Sequence, residues 1–316
     1  MKKKIIITVG ILCSLLLLSG CIQNQNEQQG IQIVASFYPL AFFAEQIGGD
    51  YVTVTQLIPE NTELHSWQPS ISDITAASNA DILLYNGAHL DHWFEEDILS
   101  TIDKTGKIIV ETTEGITLLE SETENEHDGE NHEHEEHEHG LYDPHTWVSP
   151  FIASQQAEKI YDALVEKDPE HTDYYTQQWN QLQQRFTTID TSFQDGLSTK
   201  QKDAIFVTHA AFGYLADRYG FHQHGVIGFS ADEQPSASTI TTLVSTMIEY
   251  ETYTVYVDPV YSDSYAQTLK STLESATGQN VQILKLYLML GTVDNLDYFE
   301  QLEKNLENLK IGLQTS

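Results

Sequence analysis

Short apolar strands alternate with amphipathic helices from Ile31 onward, and this alternation restricts the possible folds more than any other feature of the chain. Ile31 to Ser36 reads as a strand, Leu40 to Gly48 as a helix, Val52 to Leu57 as a strand, Ser70 to Ala77 as a helix and Ile82 to Tyr85 as a buried strand. The second half repeats the pattern: strands at Ala204 to Thr208, Phe221 to Gly228, Thr254 to Val257 and Val281 to Leu286 alternate with helices at Ala211 to Tyr219, Ser236 to Glu249 and Ser264 to Thr277, and a helix over Asp297 to Gly312 closes the chain. Such alternation predicts α/β architecture, parallel sheet flanked by helices, because parallel strands need crossover connections.

Between the halves, Ile160, Leu164, Leu182, Phe186, Ile189 and Phe193 recur near helical spacing, with Pro169 placed to kink or split the run. The expected organisation is a first lobe over 31–150, a long interrupted linking helix over 151–198 and a second lobe over 199–316. Two Rossmann-like lobes joined in this way leave a cleft, where ligands commonly bind. Inside the first lobe, residues 120–140 are almost wholly Glu, His, Asn, Asp and Gly, so the sequence predicts a disordered insertion with no face to bury.

The N-terminus reads as an export signal over residues 1–20: Lys2, Lys3 and Lys4 precede an apolar run from Ile5 to Leu18, then Ser19 and Gly20. That run is shorter than the roughly 20 residues a bilayer core requires. Leu18-Ser19-Gly20-Cys21 resembles a lipobox, in which Cys21 becomes the lipid-bearing N-terminus and residues 21–30 a polar tether, placing the protein on the outer face of the cytoplasmic membrane. An ordinary cleavage site beside an incidental cysteine is the alternative. Cys13 leaves with the signal, so the mature chain has no disulfide or thiolate site, and metal chemistry falls to histidine and carboxylate. A formal net charge of -32 argues against nucleic acid as a partner and suits cations, although acidity alone also serves solubility.

Three histidines stand where strand signals give way to loops: His65 in Glu63-Leu64-His65-Ser66-Trp67-Gln68-Pro69, His145 in Asp143-Pro144-His145-Thr146-Trp147 and His209 in Val207-Thr208-His209-Ala210-Ala211. Strand ends of α/β domains meet at the cleft, so distant residues can converge there. Three neutral imidazoles and one oxygen suit tetrahedral zinc. Taken singly, each histidine also fits a turn or a helix-cap neighbour.

These stretches resemble the zinc- and manganese-binding lipoproteins of ABC transporters, the ZnuA- and TroA-like solute-binding family. The resemblance runs from Ile33-Val34-Ala35-Ser36-Phe37-Tyr38-Pro39-Leu40 through Asp73, Ala80-Asp81 and Asp143-Pro144-His145 with Trp147, to Glu233-Gln234-Pro235-Ser236 and Val257-Asp258-Pro259. It implies His65, His145 and His209 as metal ligands and two lobes bridged by a long helix. It also implies a monomeric capture protein that delivers its ion to a membrane permease with its ATPase. Manganese-type relatives carry glutamate at the third position; His209 favours Zn2+, with Mn2+ the runner-up. The aspartate that manganese-type relatives contribute from the second lobe has no counterpart in Leu286-Tyr287-Leu288-Met289-Leu290-Gly291, which leaves water, then Glu63 or Asp258, for the fourth position.

His127, His132, His134, His137 and His139, interleaved with glutamates, form an auxiliary, weakly binding cluster or a tolerated insertion. His89 and His92 could approach the cleft but read better as surface or packing residues, and His222 and His224 as surface residues. Trp67 and Trp147 are expected beside the site. A zinc hydrolase using the same histidines, and an adhesin or metal buffer, are the rivals from other classes; no His-Glu-x-x-His pairing accompanies the three histidines.

Overall fold

The computed structural model describes residues 30–120, 142–228 and 235–316. The signal, Cys21, the residues before Gly30 and the histidines from His127 to His139 lie outside the described residues, as do Glu233 and Gln234.

The first lobe is built on β1 (Ile31–Ala35), β2 (Val52–Gln56), β3 (Ile82–Tyr85) and β4 (Ile108–Glu111), all parallel, in the order β2-β1-β3-β4. The second is built on β5 (Ala204–His209), β6 (His222–Ile227), β7 (Thr254–Val257) and β8 (Gln282–Lys285), again parallel, in the order β6-β5-β7-β8. The two sheets thus repeat one topology. Helices α1 (Tyr38–Gly48), α2 (Ile71–Asn79), α3 (Pro150–Lys167) and α4 (Thr172–Leu197) follow in the first half and centre, and α5 (Gly213–Tyr219), α6 (Ala237–Glu249), α7 (Ser264–Thr277) and α8 (Tyr298–Gly312) in the second.

The interrupted linking helix expected over 151–198 is two separate helices packed side by side. Proline cannot continue a helix and holds the residue before it out of the α region, here Asp168 at φ -136 and ψ 75. The chain turns back, so that the Tyr161 ring of α3 stacks on Trp179 of α4 at 5.9 Å and its hydroxyl meets Thr176 at 3.0 Å. Helix α3 belongs to the first lobe: Gln156 Nε2 donates to Asn86 Oδ1 at 3.1 Å and to Thr112 Oγ1 at 2.9 Å. The bridge is α4 alone. Its buried stripe of Tyr175, Trp179, Leu182, Phe186, Ile189, Phe193 and Leu197 follows the three-and-four spacing of an amphipathic helix. Its 26 residues span about 39 Å.

Two apolar clusters result among the described residues. The larger takes in the first lobe, α3, α4 and the inward side of the second lobe, including Ile205, Val207, Tyr214 and residues 286–290. The smaller lies on the outward side, where Phe206, Val255 and Val257 meet Leu243, Met247, Leu269 and Leu273 of α6 and α7. Strand alternation decides which β5 residue joins which cluster, and His209 shares the parity of Ile205 and Val207. It therefore falls on the side toward the first lobe. His224 is not the surface residue expected of it: on β6, in register with Phe206, its ring stacks on that phenyl at 5.0 Å and is half-buried. His222 is exposed as expected.

Helix α8 is anchored at its start by a capping box. Asp297 Oδ1 accepts from the backbone N–H groups of Phe299 and Glu300, both at 2.9 Å, and Glu300 accepts from Asp297 N–H at 2.8 Å. Asp297→Ala should cost about 1 kcal/mol in urea unfolding, the usual effect of losing a cap.

Candidate metal centre

His65 lies in the loop between β2 and α2, His145 in the turn before α3, and His209 is the last residue of β5. All three follow the carboxyl end of a strand or its outgoing loop, and the fold folds those ends together. One nitrogen from each lies within 4.8 Å of one from each of the others. The ring centroids are 5.4 Å apart for His65 and His145, 5.0 Å for His145 and His209, and 6.1 Å for His65 and His209. Among the described residues this is the one such convergence of histidines and carboxylates. His145 and His209 are 1% and 3% exposed, whereas His65 is half-buried, so access to the centre runs past His65.

The sequence around His145 builds a rigid support. Asp143 Oδ1 accepts from the backbone N–H of His145 at 2.9 Å and meets its Nδ1 at 2.7 Å, which leaves Nε2 as the nitrogen available to a metal. Burial disfavours charge on both groups: it holds the His145 imidazole down to about 3 and pushes the Asp143 carboxyl up to about 7. The turn is fixed from below by Asn86, whose Nδ2 donates to Pro144 O at 3.1 Å and whose Oδ1 accepts from Thr146 Oγ1 at 3.3 Å. Asn86 is in turn held by Asp91, which accepts from the N–H groups of Asn86 at 2.7 Å and Gly87 at 2.9 Å. Asp143→Asn, which disturbs the orientation of the imidazole without removing it, should weaken metal binding by about 10- to 100-fold in a competition titration.

Neither carboxylate considered for the fourth position joins the three histidines. Asp258 is committed elsewhere: Oδ1 accepts from Val260 N–H at 2.7 Å and Oδ2 from Leu288 N–H at 2.6 Å. Glu63 is closer to the task, with Oε1 accepting from His65 N–H at 2.8 Å. Trp147 is fully buried with its ring 5.4 Å from that of His145, as expected. Trp67 packs on Trp93 at 4.4 Å, one layer out. Exposed His89 and half-buried His92 line a separate cavity of about 390 Å³ with Tyr85, Glu95 and Glu111. Tyr261, whose ring meets that of His209 edge-on at 5.6 Å, and the supporting Asn86 and Asp91 were not legible as site residues, because only the fold brings them there.

Two parallel α/β lobes bridged by a long helix, with convergent imidazoles drawn from both, define a metal-binding protein of the two-lobed solute-binding class. The chain belongs to the family described as zinc-uptake complex component A, periplasmic, which residues 33–312 match. It is 32% identical over 286 residues to the high-affinity zinc uptake system protein ZnuA of Bacillus subtilis, covering 90% of this chain and 88% of that one. The structure of Zn(II)-bound AdcA from Streptococcus pneumoniae superposes with a TM-score of 0.73 at 27% identity, over 91% of this chain and 58% of that one. A laminin-binding protein of Streptococcus agalactiae, described as having adhesin and metal-transporting activity, superposes with a TM-score of 0.77 at 25% identity, over 90% of this chain and all of that one.

Proposed function

We propose that this protein captures Zn2+ outside the cytoplasm and delivers it to the membrane permease and ATPase of an ABC importer, without chemical turnover. The observation that carries the reading is the convergence of three imidazoles in a nearly dry cleft, two from the first lobe and one from the second. Neutral nitrogen donors suit zinc, whereas manganese favours oxygen, and the third ligand here is His209 rather than a carboxylate. Membership of the zinc-uptake family and the zinc-bound relative support the same metal. Water fills the fourth position, with Glu63 the nearest protein alternative. Lipid on Cys21 would hold the monomer at the outer face of the cytoplasmic membrane, and His127, His132, His134, His137 and His139 would gather ions nearby.

The test is a chelator-competition titration with Zn2+ and Mn2+ on the chain lacking residues 120–139. One tight zinc equivalent and much weaker manganese are expected; comparable affinities for the two metals would sink the assignment. The pH dependence has a definite sign. A metal must displace any proton from a ligand imidazole, so zinc affinity should fall as pH is lowered. His145, held down to about 3 by burial, adds nothing to that loss until far more acid conditions. Repeating the titration from pH 8 to pH 5 measures the slope.

A further inference from the structure

Residues 286–292 follow β8 without regular structure, yet their polar backbone groups are taken up in an orderly way. On the second-lobe side the partners are three buried side chains. Asn305 brackets Tyr287, accepting from its N–H at 2.7 Å and donating to its carbonyl at 2.8 Å. Asp258 accepts from Leu288 N–H at 2.6 Å, and Gln301 donates to Gly291 O at 2.7 Å. Four further backbone groups of the strip are claimed by the first lobe. Leu288 O accepts from Trp147 Nε1 at 2.7 Å, Leu290 O from Asn61 N–H at 2.9 Å and Thr292 O from Asn61 Nδ2 at 3.2 Å, while Thr292 N–H donates to Glu60 Oε2 at 2.6 Å.

The first-lobe partners are not scattered. Glu60 and Asn61 sit in the loop that carries His65, and Trp147 follows His145 in its turn. One strip of second-lobe backbone therefore grips both first-lobe ligand loops at once and sets them against His209. We propose that residues 286–292 form an adapter that holds the three histidines in register, and that Asp258 and Trp147 are positioning residues for metal binding through it. The physical basis is that a buried backbone group must find a partner, so the buried residues 286–291 have few alternative positions once Asp258 and Asn305 have fixed the root of the strip, while Thr292 is exposed. The inference rests on the three histidines being the ligands.

The test compares Trp147→Phe, which keeps an aromatic ring but removes the Nε1 donor, and Asp258→Asn, which puts an amide between two N–H donors, with Tyr256→Phe as a control. Tyr256 donates to Asn308 O at 3.2 Å inside the second lobe, away from the strip, so its loss reports general loosening alone. Two readouts are taken on the full chain: the rate of zinc loss to a chelator, and the visible absorption of the Co2+-substituted protein, which reports coordination geometry. Trp147→Phe and Asp258→Asn should release zinc at least 10-fold faster and alter the cobalt spectrum, with Tyr256→Phe unchanged in both. Cobalt spectra and release rates in Trp147→Phe equal to those of the parent would overturn the proposal even if Asp258→Asn failed to fold. A parent chain that holds no zinc would instead overturn the ligand assignment on which the proposal rests.

Discussion

His145→Ala is expected to lower zinc affinity by well over the ~100-fold that loss of a supporting residue can produce, because it deletes both a proposed ligand and the group that Asp143 orients. Two consequences fall on one site. The proposed zinc site loses one of its three imidazoles, and Asp143, 2% exposed, loses its imidazole partner. His209→Ala should lose affinity on a similar scale, because it removes the imidazole that the second lobe contributes to the cluster. Competition with a chromophoric chelator measures both. Affinity within tenfold of the parent in either variant would mean that the convergence of imidazoles is not the zinc site.

The second large effect is on stability. Tyr298 is fully buried at the centre of an aromatic group in which Phe42 and Phe43 come from α1, Phe186 from α4 and Phe299 from α8. Its ring meets Phe43 edge-on at 4.9 Å, and its hydroxyl donates to Trp147 O at 2.5 Å. Tyr298→Ala removes a large ring from a filled interior and leaves a carbonyl without its donor. A loss of about 3–5 kcal/mol is expected from the cavity alone, with the unmade hydrogen bond adding to it. Tyr298→Phe separates the two, since it should cost only the hydrogen bond, about 1–3 kcal/mol. Urea unfolding of the two variants measures the difference, and equal losses would mean that the ring contributes nothing.

The regular elements were plain in the sequence where local pattern and burial agree. Strand Thr254–Val257 and helix Ser264–Thr277 have the limits the pattern predicts, because an apolar run and a stripe of spaced apolar residues are bounded there by polar turns. The convergent histidines were legible through their place after strand signals and through family resemblance, not through their chemistry one by one. Other features depend on contacts between distant segments. Nothing local to Asn86 or Asp91 announces that they support a turn near residue 144, and the polar look of His222-Gln223-His224 hid the phenyl of Phe206 under one of the two imidazoles. Pro169 marked a break, but whether the helix would bend or fold back was decided by the partners of α3 on the first lobe.

The two separate apolar clusters mean that the second lobe is not a single melting unit. The outward layer of α6 and α7 over β5, β6 and β7 draws its cohesion from the smaller cluster, whereas the strip, α8 and the ground beneath the histidines draw theirs from the larger one. Local opening free energies follow such divisions. Amides of the outer layer can therefore exchange with solvent through partial openings that leave the cargo in place, and the protein can breathe on one flank while keeping its grip on the other.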